Sequence, residues 1–239
     1  MPESTPSVPA ARIGVVLPAL DEAGSLPAVL ADLRALQATG LTLDVVLVDN
    51  GSTDGTGDIG REAGITVLVE PRRGYGTAVQ RGFAHLAADP PAVVVVLDAD
   101  HADDPLRLPD LVQPVLTDRA DLVLADRTLT AEPHALSAVQ VFGNALSTWL
   151  IARTTGHRYR DMGPFRAIRW ESLVQLEMED PTWGWNVEMQ MKAVHHGLRI
   201  LELPLPYRRR RAGRSKIGGS LTGATRAGVR ILQAVRRYR

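Results

Sequence analysis

The chain has 239 residues, 45% of them apolar, which suits one buried core and leaves little room for two comfortable domains. It contains no cysteine, so disulfide staples, thiolate metal sites and cysteine nucleophiles are excluded, and any redox compartment suits it. Bases and acids balance at 27 each, yet Tyr207–Arg239 carries 11 of the bases and no acid, leaving 16 bases against 27 acids elsewhere. An acidic body with a basic end points to an anionic partner: nucleic acid, a phospholipid surface or a phosphorylated substrate. The start, MPESTPSVPAAR, shows no secretory leader, and the apolar run around Val93–Leu97 falls far short of the roughly 20 residues that span a bilayer. The expectation is a cytoplasmic protein.

In chain order, residues 13–18, 43–49, 65–70, 92–98 and 121–126 read as strands buried on both faces. Leu26, Leu30, Leu33 and Leu36 share one helical face after the first, and Ala78, Phe83 and Leu86 mark a helix after the third. Strand, helix, strand at this pitch predicts βαβ units and a mainly parallel sheet. In such sheets ligands bind beyond the carboxyl ends of the strands. Four of those ends carry Pro18, Asp21 and Glu22, then DNGSTDGT (49–56), RRGYGTA (72–78) and Asp98-Ala99-Asp100. The second half is less regular, with a helical pattern at 134–155, a loop at 160–166, a helix at 183–197 and a strand at 198–205. From about Leu221 the tail reads as an amphipathic helix, with Val229, Leu232 and Val235 opposite several arginines.

Asp98 and Asp100, one residue apart past a buried strand, suit a hard divalent cation that bridges phosphate oxygens, such as magnesium or manganese. A loop or helix-cap role is the competing reading. Asp49 suits acceptance from a base N–H, while Gly51 and Ser52 allow close approach to the backbone; a plain βα turn is the alternative. Arg73 and Gly76 suit a nucleotide phosphate, or a solvated loop. No dinucleotide fingerprint, P-loop, nucleophile elbow or zinc pattern occurs.

Together, VVLPALDE, VDNGSTDGT, RRGYGTA and LDAD resemble the strand-end motifs of family 2 glycosyltransferases, across roughly residues 12–217. The second half is similar to the dolichyl- or polyprenyl-phosphate mannose and glucose synthases, through DLVLADR, DMGPFRAIRW, WNVEMQMKAVHHGLRILELPL and RRAGRSK. The resemblance implies a single α/β domain of the Rossmann-like GT-A fold, a mixed, mainly parallel sheet flanked by helices. It implies a nucleotide half at 12–127 and an acceptor half at 128–217, between a disordered segment 1–11 and a basic tail 218–239.

It further implies metal-dependent, inverting transfer of a hexose from a UDP- or GDP-sugar to a polyprenyl phosphate. Pro18, Asp21, Glu22, Asp49, Gly51, Ser52, Arg73, Gly76, Asp98 and Ala99 would shape the donor site, with Asp98 and Asp100 on Mg²⁺ or Mn²⁺. Arg127, Arg166, Arg210, Arg214 and Lys216 would meet phosphates or acceptor. Asp100, Asp161 and Glu188 are the implied catalytic carboxylates, the last two as candidate bases for a hydroxyl acceptor. One departure is Ala102, which stands where those synthases carry a metal-binding glutamine, so water, Asp103 or His101 would have to serve. The alternatives are a soluble hydroxyl acceptor, a nucleotidylyltransferase, or a non-catalytic, membrane-docked nucleotide-sugar-binding protein. PALDEAGS lacks the glycine- and arginine-rich loop a nucleotidylyltransferase wants. Aromatics, at 5%, are too few for nucleic-acid stacking platforms, and a homodimer is compatible with all of this. Leu136, Val139, Phe142, Leu146, Trp149 and Leu150, with Arg226, Arg230, Arg236, Arg237 and Arg239 of the tail, predict peripheral contact with an anionic membrane.

Overall fold

The computed structural model describes residues 11–182, 184–211, 233 and 235–238. The expected disorder before residue 11 and the tail helix from Leu221, with Val229, Leu232, Arg226, Arg230 and Arg239, lie outside the described residues. So do Arg214 and Lys216.

Seven strands form one sheet in the order β3-β2-β1-β4-β6-β5-β7. They are β1 (Ile13–Ala19), β2 (Leu43–Asp49), β3 (Thr66–Val69), β4 (Val93–Val96), β5 (Leu122–Asp126), β6 (Arg166–Arg169) and β7 (Ile200–Pro204). All neighbouring pairs are parallel except β4·β6 and β5·β6. The fold is therefore the expected mixed, mainly parallel sheet. Patterning does not mark β6, because RAIR is only four residues long and its pairing is set by strands distant in sequence.

Alternation along the strands divides the core into two layers. Ile13, Val15 and Leu17 of β1 pack with α1 (Leu26–Ala38) and α4 (Leu108–Leu116). Val16, Val94 and Val96 face the other way, onto α3 (Tyr75–Leu86) and α7 (Trp185–His195). Two shorter helices, α2 (Thr56–Glu62) and α6 (Trp170–Gln175), complete the set together with α5. Ser137 caps α5 (Ala138–Thr155) through a capping box with Gln140, and Gly156 ends it in the left-handed region at φ 80°. Of α5, only Ser147 and Ile151 are buried, while Val141, Phe142 and Trp149 are exposed.

The last described turn departs from the expected interfacial tail. Val235 and Tyr238 are buried in the layer that contains Trp185, and Arg237 Nη2 reaches Glu179 Oε2 at 2.7 Å. Apolar side chains committed to the core are withdrawn from a lipid surface, so this end of the chain braces the body.

Because β6 alone runs against the others, its first residue, Arg166, shares a rim with the carboxyl ends of the six parallel strands. Arg166 is paired in register with Val96 of β4 and Leu124 of β5. The motifs that follow β1, β2, β3 and β4 thus open toward the same edge.

Two helical glycines have opposite expected tolerances. A Cβ on Gly82 of α3 would lie 2.5 Å from Val16 Cγ1, whereas one on Gly143 of α5 would meet nothing within 4 Å. Gly143→Ala should raise stability by about 0.5–1 kcal/mol through helix propensity. Gly82→Ala should lower it, overpacking of about 1–3 kcal/mol outweighing that gain. Urea denaturation midpoints check both signs.

Candidate active site

The loop after β1 and the loop after β2 are stitched into one wall. Asp21, at φ 52°, accepts from Thr53 N at 2.8 Å, and its own N–H donates to Ser52 Oγ at 3.0 Å. Asp49 Oδ1 accepts from Ser52 N at 2.7 Å, which fixes the turn and leaves Oδ2 beyond that bond. The third loop joins through Asn50, an uncharged turn residue that residue type alone does not mark. Its Nδ2 donates to Glu70 O and Arg72 O, both at 2.8 Å, and its Oδ1 accepts from Gly74 N at 2.9 Å. Arg73 Nη2 closes the wall on Gly51 O at 2.9 Å. Pro18 is buried in β1, and Ala99 is buried between the two aspartates.

Behind the wall, Glu188 has a supporting role. It is fully buried, and its oxygens accept from Glu179 N at 2.8 Å and Asp180 N at 2.7 Å, with Lys192 Nζ at 2.9 Å. The loop so held presses on RRGYGTA: Pro181 O accepts from Thr77 N at 3.1 Å, and a Cβ on Gly76 would collide with Asp180 O. Glu188 therefore positions the loop at 72–78 through residues 179–181, and its lone pairs are committed to that task.

At the end of β4 the charge is compensated unevenly. Asp98 Oδ1 is shielded from solvent and has no hydrogen-bond partner. Loss of hydration, then the neighbouring charge of Asp100, pushes the Asp98 carboxyl up to about 7. The Tyr75 side chain lies against Asp98, and burial followed by that charge raises the phenol's pKa well above its ordinary value. Asp100 is 3% exposed; its Oδ1 accepts from Ala102 N at 2.9 Å and its Oδ2 lies 2.9 Å from Arg210 Nε. Arg210 Nη1 also reaches Glu22 Oε1 at 3.4 Å.

Two substitutes suggested for the third metal ligand differ in placement. His101, at φ 60°, turns away to Asp32 Oδ2 at 2.8 Å. Asp103 is buried with Oδ2 unpartnered, and burial raises its pKa even though Arg127 pulls the other way. Among the described residues no group of three or more histidine, aspartate or glutamate side chains forms a metal cage.

On the other flank of β6, Arg127 at the end of β5 grips Asp161. Its N, Nε and Nη2 donate to the carboxylate at 2.9, 2.7 and 2.9 Å, and its guanidinium carbon lies 4.9 Å from the Tyr207 ring centroid. Burial raises the Asp161 pKa, but the Arg127 bonds outweigh it and hold the carboxyl below its ordinary value. Both Asp161 oxygens are engaged, which disfavours it as a proton acceptor. The expectation that Arg166 meets a phosphate does not fit this geometry: it is fully buried, with its guanidinium on Gly163 O, Pro164 O and the Trp185 face. Burial lowers its pKa, and the side chain has no exposure to solvent from that position.

Residues 14–138 match the family model for glycosyl transferase family 2. An uncharacterized glycosyltransferase of Mycobacterium tuberculosis is 40% identical over 214 residues, covering 89% of this chain and 92% of the relative. A dolichyl-phosphate hexose transferase of Haloferax volcanii is 33% identical over 213 residues, 89% of each chain. In fold, the chain is similar to M. tuberculosis glucosyl-3-phosphoglycerate synthase, solved with Mn²⁺, UDP and glucosyl-3-phosphoglycerate. The TM-score is 0.73 at 24% identity, covering 95% of this chain and 80% of that one.

The buried Arg127–Asp161 pair gives a prediction with a definite pH sign. Asp161→Asn should cost about 3–5 kcal/mol by leaving Arg127 without its counter-charge. Because the folded pKa is depressed, the pair's contribution is present above the ordinary value of 3.8 and is lost as pH falls through the folded value. Wild-type and variant stabilities, compared by denaturant titration, should differ at pH 7 and begin to converge only below 3.8, as pH falls toward the depressed folded value.

Proposed function

The chain belongs to glycosyl transferase family 2, and we propose that it moves a hexose, with inversion, from a UDP- or GDP-sugar to a polyprenyl phosphate. The observation that carries this reading is the under-compensated Asp98–Asp100 pair, set between the wall of the first three loops and Arg127. The orphaned Asp98 Oδ1 fits a hard cation, and Asp98 and Asp100 are the residues that would hold Mg²⁺ or Mn²⁺. Such an ion supplies charge neutralisation for a leaving diphosphate. The fold neighbour solved with Mn²⁺ and UDP supports this choice by analogy of fold alone.

The chain's own residues would then divide the work. Asp21, Asp49, Gly51, Ser52 and Arg73 form the nucleoside wall, and Asn50 keeps its three loops in register. Glu22 and Arg210 border the diphosphate. Arg127 offers Nη1, which lies outside its bonds to Asp161, to an anionic acceptor, while Asp161 holds the guanidinium in place. A phosphate acceptor arrives ionised and needs no general base. That suits a site where Asp161 and Glu188 are both committed to other partners, and it agrees with the name of the dolichyl-phosphate relative.

The acceptor's lipid sets a second requirement, an apolar surface close to Arg127. Leu129, two residues on, is 78% exposed, and Val141, Phe142 and Trp149 line the outer side of α5. No helix among the described residues is long and apolar enough to cross a membrane. Basic residues of 207–239 other than Arg208, Arg210 and Arg237, which pair with Asp104, Asp100 and Glu179, would add attraction to anionic lipid, each worth about 1 kcal/mol near the surface.

A panel of nucleotide sugars with Mn²⁺ and undecaprenyl phosphate in vesicles, scored by released nucleoside diphosphate, tests the reaction. Asp100→Ala should abolish turnover, and EDTA should do so reversibly. Asp49→Ala should weaken nucleoside-diphosphate binding by calorimetry without unfolding the protein. Full activity in EDTA would remove the metal, and transfer confined to water-soluble hydroxyl acceptors would remove the lipid. Phe142→Ser with Trp149→Ser should lower sedimentation with anionic vesicles several-fold; unchanged sedimentation would separate α5 from the membrane.

A further inference from the structure

The segment after β7 returns over the rim as a strap, laced on both sides. Arg208 N donates to Ala102 O at 2.7 Å, and Arg208 Nη2 meets Asp104 Oδ2 at 2.7 Å. On the other side Tyr207 O accepts from Glu132 N at 2.8 Å, and Arg209 N donates to Glu132 Oε2 at 3.1 Å. These bonds set Arg210 over the strand end of β4, where its guanidinium bridges Asp100 Oδ2 and Glu22 Oε1 with its side chain 24% exposed. Asp100 Oδ1 is already engaged by Ala102 N, so Oδ2 is the oxygen best placed to take a cation, and Arg210 is on it.

We propose that Arg210 is the built-in counter-cation of the Asp98–Asp100 pair, competing with a divalent ion for Asp100 Oδ2 and leaving it when that ion binds. This rests on the metal reading above and goes beyond it, because it sets the order and cooperativity of loading. Two cations on one carboxylate oxygen repel and crowd each other, so Arg210 must withdraw before Asp100 can ligate. Withdrawal costs the bonds to Asp100 and Glu22, which weakens binding of the ion alone. A nucleoside diphosphate beside the strap offers the displaced guanidinium new anionic oxygens, and recovers that cost. Ion and nucleotide therefore strengthen each other's binding, and by linkage the enhancement is equal in both directions. The same contact keeps an otherwise repulsive set of carboxylates quiet when nothing is bound.

The test uses the full chain and Mn²⁺ as the probe, with bound metal read from the loss of the free-ion EPR signal. Without nucleotide, Arg210→Gln should bind Mn²⁺ at least tenfold more tightly than wild type, a difference of about 1.4 kcal/mol. Arg210→Lys, which retains the charge, should stay within a few-fold of wild type. Added UDP or GDP should tighten Mn²⁺ binding in wild type and do so much less in Arg210→Gln. In wild type, Mn²⁺ alone should speed hydrogen exchange at the Arg208 and Arg211 amides several-fold, a readout that needs no variant to fold. If Asp100→Asn abolishes Mn²⁺ binding while Arg210→Gln leaves it unchanged or weaker, the metal site stands and the competition is overturned. If no form binds Mn²⁺ even with UDP or GDP, the metal reading and this inference fall together.

Discussion

Crowding of carboxylates at a single sheet edge is the constraint around which the rest of this molecule is arranged. Glu22, Asp98, Asp100, Asp103 and Asp161 are all mostly or wholly removed from water near the same rim, where isolated charges are costly. Two arginines, from the end of β5 and from the strap after β7, supply the compensation. Arg127 satisfies Asp161 fully, whereas Arg210 is divided between Asp100 and Glu22. Asp98 is left short, with an oxygen bonded to nothing. That inequality separates the carboxylates by task. A carboxylate with every lone pair engaged holds structure, and one left under-compensated beside another is where a cation from outside gains most.

The parallel half of the fold and the loops that line its carboxyl edge are legible in the sequence because they are local. Runs such as VVVV fix buried strands, and in a parallel sheet the residues that follow each run necessarily open on one edge. Asp21, Asp49, Arg73, Asp98 and Asp100 are found in this way. Asn50 was passed over because a single amide in a turn has no period and no charge to mark it. Its importance lies in bonds to residues 20 to 24 positions ahead. The same holds for β6, four residues whose pairing partners are Val93–Val96 and Leu122–Leu124.

Roles that depend on burial were harder to read from residue type. Arg166 and Glu188 carry charge in a motif-like setting, and both are fully buried behind the rim. Arg166 rests on backbone carbonyls and an indole face, and Glu188 pins the loop that carries Asp180 and Pro181. Each acts on the site through a neighbour. The basic tail shows a related effect: net charge suggests a surface, while Val235 and Tyr238 commit its end to the core.

The antiparallel insertion of β6 gives the site its two sides. With β6 between β4 and β5, the chain entering it must come from the rim, so Asp161 is delivered there before the strand begins. Asp161 then fixes Arg127 from the backbone outward, through its N–H as well as its guanidinium, and Tyr207 covers the other face. Arg127 is thereby held rigid and charged on the side away from the nucleoside wall, with the Asp98–Asp100 pair belonging to β4 on the other flank of β6. A cation fixed in this way can act only by position, since a guanidinium neither gains nor loses a proton. The resulting economy is visible in the residues themselves: Asp161 and Glu188, carboxylates that residue type alone would offer for proton transfer, are used as fasteners, Asp161 for Arg127 and Glu188 for the loop that carries Asp180.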